Sequence, residues 1–212
     1  MIGNDIVDLT LAQNESNWQR KGFLDKIFTA HEQQLIRTAT DPDQMVWLLW
    51  SMKESAYKIA VRDSGKRCFA PIKLACHLTE WNDKSAKGMV CYEKIYQTQS
   101  SLNAQYIATV AVSDKHQRLD HIIVPLHVSH YLHQHQILWK KIKQHCVATW
   151  SIPKEKIHFH KDEASVPWMS IRPTLTTTVK VPLSVSHHGW FGAFVIGGKL
   201  SFQSAVHSSQ YF

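Results

Sequence analysis

The chain has 212 residues, 44% hydrophobic and 19% charged, enough to bury a sizeable core in one compact domain or two small packed halves and unlike a disordered tail. No apolar run reaches 18 residues, which argues against a helical membrane span, and Met1-Ile2-Gly3-Asn4-Asp5 lacks the basic and apolar regions of a secretory leader. The net charge of +7 is uneven: residues 1–125 carry 15 Lys/Arg against 14 Asp/Glu, whereas residues 126–212 carry 9 against 3. An anionic partner near the second half follows, whether nucleic acid, phosphorylated cofactor or acidic protein.

In chain order, residues 2–9 (IGNDIVDL) read as a short strand. Within 23–37 the later part is helical, with Thr29 and Glu32 spaced as a capping box for a helix starting near residue 30. Asp41-Pro42-Asp43 then opens a strong helix over 43–61, apolar nearly all round in its first half and so largely buried. After Gly65-Lys66, strand-like runs occupy 69–78, 88–97 and 105–113, and 114–130 is a polar seam with a short apolar run at 122–124. A second long helix is predicted over 130–148, followed by strands at 157–160, 179–187 and 190–197, the last two joined by a tight His188-Gly189 turn.

This order predicts an α+β fold of two similar halves, 1–125 and 126–212. Each packs a long helix on a small, mostly antiparallel sheet. The cysteines Cys68, Cys76, Cys91 and Cys146 show no CxxC spacing and read as buried thiols of a protein in a reducing cytoplasm.

Four constellations carry candidate chemistry. If 2–9 is a strand, Gly3, Asp5, Val7 and Leu9 share one face. A carboxylate buried there costs several kcal/mol, roughly, unless a cation or basic partner resolves it; otherwise Asp5 only starts the strand or caps a turn. Trp50, Glu54 and Lys58 form an i, i+4, i+8 stripe on the 43–61 helix. Such a Glu–Lys pair is commonly a surface ion pair, but beside Trp47, Leu48, Leu49 and Trp50 it marks a core edge, where ion binding or pKa tuning is favoured. Ser184-Val185-Ser186-His187 offers hydroxyls on one strand face and an imidazole on the other, groups that suit phosphate oxygens or simply end a strand. The run His127, His130, His133, His135 has metal-like spacing but no neighbouring Cys or carboxylate cluster, and reads better as a hydrated helix start. Lys140, Lys141, Lys143, Lys154 and Lys156 form a basic patch with few interleaved aromatics, a weak case for nucleic acid. No GxxxxGK[ST], GxGxxG or GxSxG motif is present, which disfavours a P-loop, a Rossmann dehydrogenase and an esterase elbow.

Together these segments resemble the phosphopantetheinyl transferase superfamily. Ile2–Leu9 is similar to the GxDIV motif of holo-acyl-carrier-protein synthases, and Lys26-Ile27-Phe28-Thr29 with Glu32 to the segment that follows it. Trp50-Ser51-Met52-Lys53-Glu54-Ser55-Ala56-Tyr57-Lys58 resembles the W-x-x-K-E-[SA]-x-x-K signature, and Ser184–His187 the SxSH element. Glu54 and His187 lie 133 positions apart, too far for the small subunit-shared form. Residues 137–169 resemble the approach to the GKP element in the first half of the large, surfactin-synthetase-activating type. The chain thus looks like that type with its halves exchanged and its active site between them.

The resemblance implies transfer of 4′-phosphopantetheine from coenzyme A to a serine of an acyl- or peptidyl-carrier protein. Asp5 and Glu54 would hold Mg²⁺ against the diphosphate, and Glu54 or a metal-bound water would help deprotonate the serine. Lys58 would stabilise or protonate the departing 3′,5′-ADP, while His187 with Ser184 or Ser186 would contact a coenzyme A phosphate. Fused halves make a monomer sufficient, and neither a membrane nor a nucleic-acid partner is expected. The sequence departs from the large type at Val7, where a second acid is usual, and at Ser165-Val166-Pro167, which lacks the GKP lysine. A non-catalytic coenzyme A- or carrier-binding member, or a basic nucleic-acid-binding protein, are the competing readings.

Overall fold

A computed structural model describes residues 1–114, 119–162, 166–172 and 177–197. Strand β1 (Ile2–Asp8) runs into a short helix α1 (Leu9–Glu15), followed by α2 (Phe23–Ile27), α3 (Ala30–Thr38) and the long α4 (Pro42–Ser64). Strands β2 (Ala75–Trp81), β3 (Ser85–Cys91), β4 (Ile95–Leu102) and β5 (Tyr106–Val112) complete the first sheet. The second is built from β6 (Leu119–Pro125), β7 (Ile157–Lys161), β8 (Pro167–Ile171), β9 (Val179–His188) and β10 (Phe191–Gly197), with α5 (Tyr131–Trp150) packed against it.

Both sheets are antiparallel, with strand orders β1-β5-β4-β3-β2 and β6-β10-β9-β8-β7. The second order is the first with every label advanced by five, so the α+β class and the similarity of the halves are both present. The first sheet ends with β5 at Val112, and the second begins with β6 at Leu119. β6, placed by sequence at the end of the first half, hydrogen-bonds to β10 in the second sheet.

Local chemistry sets the long helices. Asp41 caps α4 by accepting from the Gln44 amide, Pro42 occupies its first turn, and Gly65 ends it at φ 69°. The capping box of α3 forms as expected, with the Thr29 hydroxyl and Glu32 carboxylate each accepting the other residue's amide. Glu32 is fully buried, and its carboxylate also accepts from the Cys76 amide and from Lys53, whose ammonium further donates to the carbonyls of Pro71 and Leu74. Such a pair is tolerable in the core because every partner is hydrogen-bonded. It fixes α3, α4 and the loop before β2 to one another.

α4 covers one face of the first sheet through Val46, Leu49, Met52, Ala56 and Ile59, which share a core with Val90, Tyr96 and Ile107. α5 covers the second sheet through Leu138, Ile142 and Cys146 against Met169, Leu183 and Phe194. The remaining faces of the two sheets meet: Ile2, Val110 and Val195 form one small cluster, and Ile6, Ala108 and Ala193 another. Four layers result, helix, sheet, sheet, helix.

Several sequence expectations change. The three runs at 69–78, 88–97 and 105–113 become four strands, because 88–97 straddles the turn at Tyr92, whose amide donates to the Lys94 carbonyl. Helix α1 was not foreseen; it starts because Asp8 ends β1 and accepts from the Leu11 amide. β8 was also missed, being five residues that only pairing with β7 and β9 extends. Of the cysteines, Cys76 and Cys146 are buried, but Cys91 is half-buried and Cys68 is exposed on the loop after α4; all four are free.

Candidate active site between the halves

The site forms where β1 and α4 of the first sheet face β9 of the second. A Cβ on Gly3 would lie 2.1 Å from the Ser55 carbonyl, so only glycine lets β1 approach α4 this closely. Gly3, Asp5 and Val7 accordingly face α4, while Asn4 faces β9. The Asn4 amide donates to the Ser184 hydroxyl (3.1 Å) and its side-chain amide to that of Ser186 (2.8 Å), joining the halves through buried bonds.

Asp5, Glu54 and Lys58 converge. The Lys58 ammonium donates to the Asn4 carbonyl at 2.6 Å and to Asp5 Oδ1 at 3.3 Å, so its partner is Asp5 across the β1–α4 contact rather than Glu54 one turn away. Glu54 has no hydrogen-bond donor among the described residues. Burial first, then the negative charge of Asp5, raises its pKa from 4.5 to about 7, with Lys58 opposing. An under-compensated carboxylate beside a second carboxylate is a donor set suited to a hard divalent cation. No cluster of three metal-binding side chains occurs among the described residues, which includes the histidine run at the start of α5.

Glu54 stands between two clefts. One, of about 300 Å³, is walled by Asp5, Ile6, Val7, Trp47, Trp50, His187 and His188. The other, of about 270 Å³, is lined by Tyr57, Lys58, Arg62, Arg67, Pro167 and Ser184. The first is aromatic and imidazole-bearing; the second is cationic. His187 rests against the Tyr131 ring at 5.2 Å, and its pKa is lowered by burial first and then by His135, Lys58 and His188.

Each residue expected from the sequence thus has a place. Asp5, Glu54 and His187 share one cleft, and Glu54, Lys58 and Ser184 the other. Ser186 lines neither and holds Asn4. Ser165 lies outside the described residues, and Val166 is buried at the edge of the cationic cleft.

Sequence reading missed Asn4, Arg62 and the structural role of Lys53. Arg62, one turn beyond Lys58 on α4, crosses to the second sheet, donating to the Pro167 carbonyl (3.2 Å) and the Leu183 carbonyl, and desolvation lowers its pKa to about 10. Its continuation of the 50, 54, 58 stripe at 62 was the available signal.

A helix and a strand thus bring two carboxylates together opposite a histidine-bearing strand from a sheet of the same order. The family model of the 4′-phosphopantetheinyl transferase superfamily matches residues 1–111, just over half of the chain, and the protein belongs to that superfamily. Its general chemistry is therefore phosphopantetheine transfer. Among curated proteins the chain finds no match. No helix among the described residues is long and apolar enough to cross a membrane.

Proposed function

We propose that the protein transfers 4′-phosphopantetheine from coenzyme A to a serine of an apo-carrier protein, as a Mg²⁺-dependent holo-acyl-carrier-protein-synthase-type enzyme. The observation that carries this reading is the position of Glu54, whose pKa is raised to about 7 and which lies beside Asp5 where a cationic cleft meets one walled by aromatic rings and histidines. Asp5 and Glu54 would hold the cation, which when bound neutralises charge on the diphosphate.

The anionic nucleotide end fits the cleft of Lys58, Arg62 and Arg67. Arg62 and Arg67 put positive charge where the resemblance expects a lysine and this chain has Val166. Ser184 lines that cleft and retains a hydroxyl proton to donate, and His187, in the cleft on the other side of Glu54, would contact the diphosphate. The serine oxygen forms a bond to the pantetheine-bearing phosphorus as the phosphoanhydride bond breaks. Glu54 is suited to take the serine proton near neutral pH, and Lys58 to neutralise the departing 3′,5′-ADP.

Incubation of apo-carrier proteins of the fatty-acid, polyketide and peptide-synthetase types with coenzyme A and Mg²⁺, read by intact mass, tests the reading. A phosphopantetheine-sized mass gain on one of them is expected. No gain on any, with saturable coenzyme A binding intact, would leave a binding protein instead.

A further inference from the structure

His188, the second histidine at the end of β9, has its ring orientation fixed by the backbone of β1. His188 Nδ1 accepts a 2.9 Å hydrogen bond from the backbone N–H of Asp8. A backbone amide only donates, so Nδ1 carries no proton while the bond holds and the ring proton sits on Nε2. Asp8 fixes the surrounding backbone as well. Its Oδ2 accepts from the Trp190 amide at 2.9 Å, and its Oδ1 from Leu11 at 3.1 Å. Gly189 between them adopts φ 55°, and a Cβ there would fall 2.3 Å from Asp8 Oδ2. The β9–β10 turn is thus clamped onto the end of β1, and the His188 ring with it.

The ring is about one third exposed, its Nε2 lies 3.9 Å from Glu15 at the end of α1, and it walls the cleft that contains Asp5, Trp47 and Trp50. It is absent from the cleft of Lys58, Arg62 and Arg67. Displacement at phosphorus places attacking and leaving oxygens on opposite sides. If the nucleotide leaves through the cationic cleft, the nucleophile enters through the other one, past His188.

We infer that His188 is a contact residue for the acceptor substrate, with its Nε2–H, aimed by the Asp8 amide, donating to an oxygen of the serine-bearing segment of the carrier. The inference rests on the transfer reading above, and its test keeps the two apart.

Binding of a labelled apo-carrier protein whose serine is replaced by alanine should weaken roughly 5- to 20-fold in His188→Leu, as loss of one partly desolvated hydrogen bond implies. Coenzyme A affinity with Mg²⁺, read by calorimetry, should stay within about twofold on the same grounds. His188→Gln, which keeps an amide donor, should recover part of the carrier affinity. In the unaltered protein, long-range ¹H–¹⁵N spectra should show the Nε2-protonated tautomer, with that signal shifting on carrier addition. Unchanged carrier affinity in His188→Leu, equal losses for carrier and coenzyme A, or an unmoved Nε2 signal each overturn the inference. A protein that binds the carrier through His188 yet transfers nothing would sink the transfer reading alone, and one that does not bind it would sink both.

Discussion

The two junctions between the sheets make an internal comparison. Matching β1 to β6 and β5 to β10 through their pairing registers sets Asp5 opposite Ile122, Asn4 opposite His121, and Ser184 and Ser186 of β9 opposite Gln99 and Ser101 of β4. At one junction Asn4 is hydrogen-bonded to both serines and a carboxylate follows it. At the other, His121 Nε2 is buried without a partner, burial lowers its pKa to about 4, and an apolar residue follows it. The same backbone plan therefore carries one junction where Asp5 lies beside Glu54 and one where the carboxylate next to His121, Asp120, is paired with His145 of α5. Fold places a cleft at each; side chains decide what chemistry each can support.

The largest effect that would break this comparison concerns how the equipped half is held. Lys53→Met leaves Glu32 charged in the core without its partner and should cost about 3–5 kcal/mol in urea denaturation. α5 is held by apolar packing and by a single half-buried contact of His145 with Asp120 of β6 at 3.0 Å. A loss under about 1 kcal/mol would mean that the Lys53–Glu32 pair does not hold α3 to α4.

Next come the carboxylates. Glu54→Gln and Asp5→Asn should each lower transfer by on the order of 100-fold or more while leaving the melting temperature near that of the unaltered protein. Near-normal turnover in both would remove the metal assignment and, with it, the distinction between the junctions.

The pH behaviour of the metal-free protein sharpens the same point. Glu54 has a folded pKa of about 7 against 4.5 unperturbed, so the stability it contributes is present below about 4.5 and is lost as pH rises through about 7. Melting temperature should therefore fall across that window through this group, and Glu54→Gln should flatten the fall. Mg²⁺, by favouring the ionised form, should stabilise the protein more at pH 8 than at pH 5.

The smallest effects set the two matched residues side by side. Asn4→Ala removes the buried side-chain hydrogen bond to Ser186 while keeping the backbone bond to Ser184, and should cost about 1 kcal/mol, with a lower transfer rate. His121→Leu removes an unpartnered buried nitrogen and should leave turnover within about twofold and stability equal or higher. A loss at His121 as large as that at Asn4 would show that the second junction is also in use.

Much of this was legible along the chain because it depends on neighbours in sequence. The Asp41-Pro42 start and Gly65 stop of α4, the Thr29–Glu32 box and the alternation of β1 are local signals, and they placed Asp5, Glu54 and Lys58 on the right faces. The 88–97 run misled because apolar residues flank the Tyr92 turn on both sides. α1 and β8 are too short to show a period. Arg62 could be suspected from its stripe, but not that its guanidinium would end on carbonyls of Pro167 and Leu183.

By itself, then, the sequence determined the class of fold, the family and the residues that carry charge, since helix caps, strand alternation and motif spacing act over a few residues. The tertiary structure alone decided that Lys58 pairs with Asp5 instead of Glu54, that Ser186 serves Asn4, and that His188 is oriented by Asp8. Those outcomes depend on hydrogen bonds between atoms more than fifty positions apart. Their geometry exists only once two sheets have packed face to face and excluded water from the groups between them.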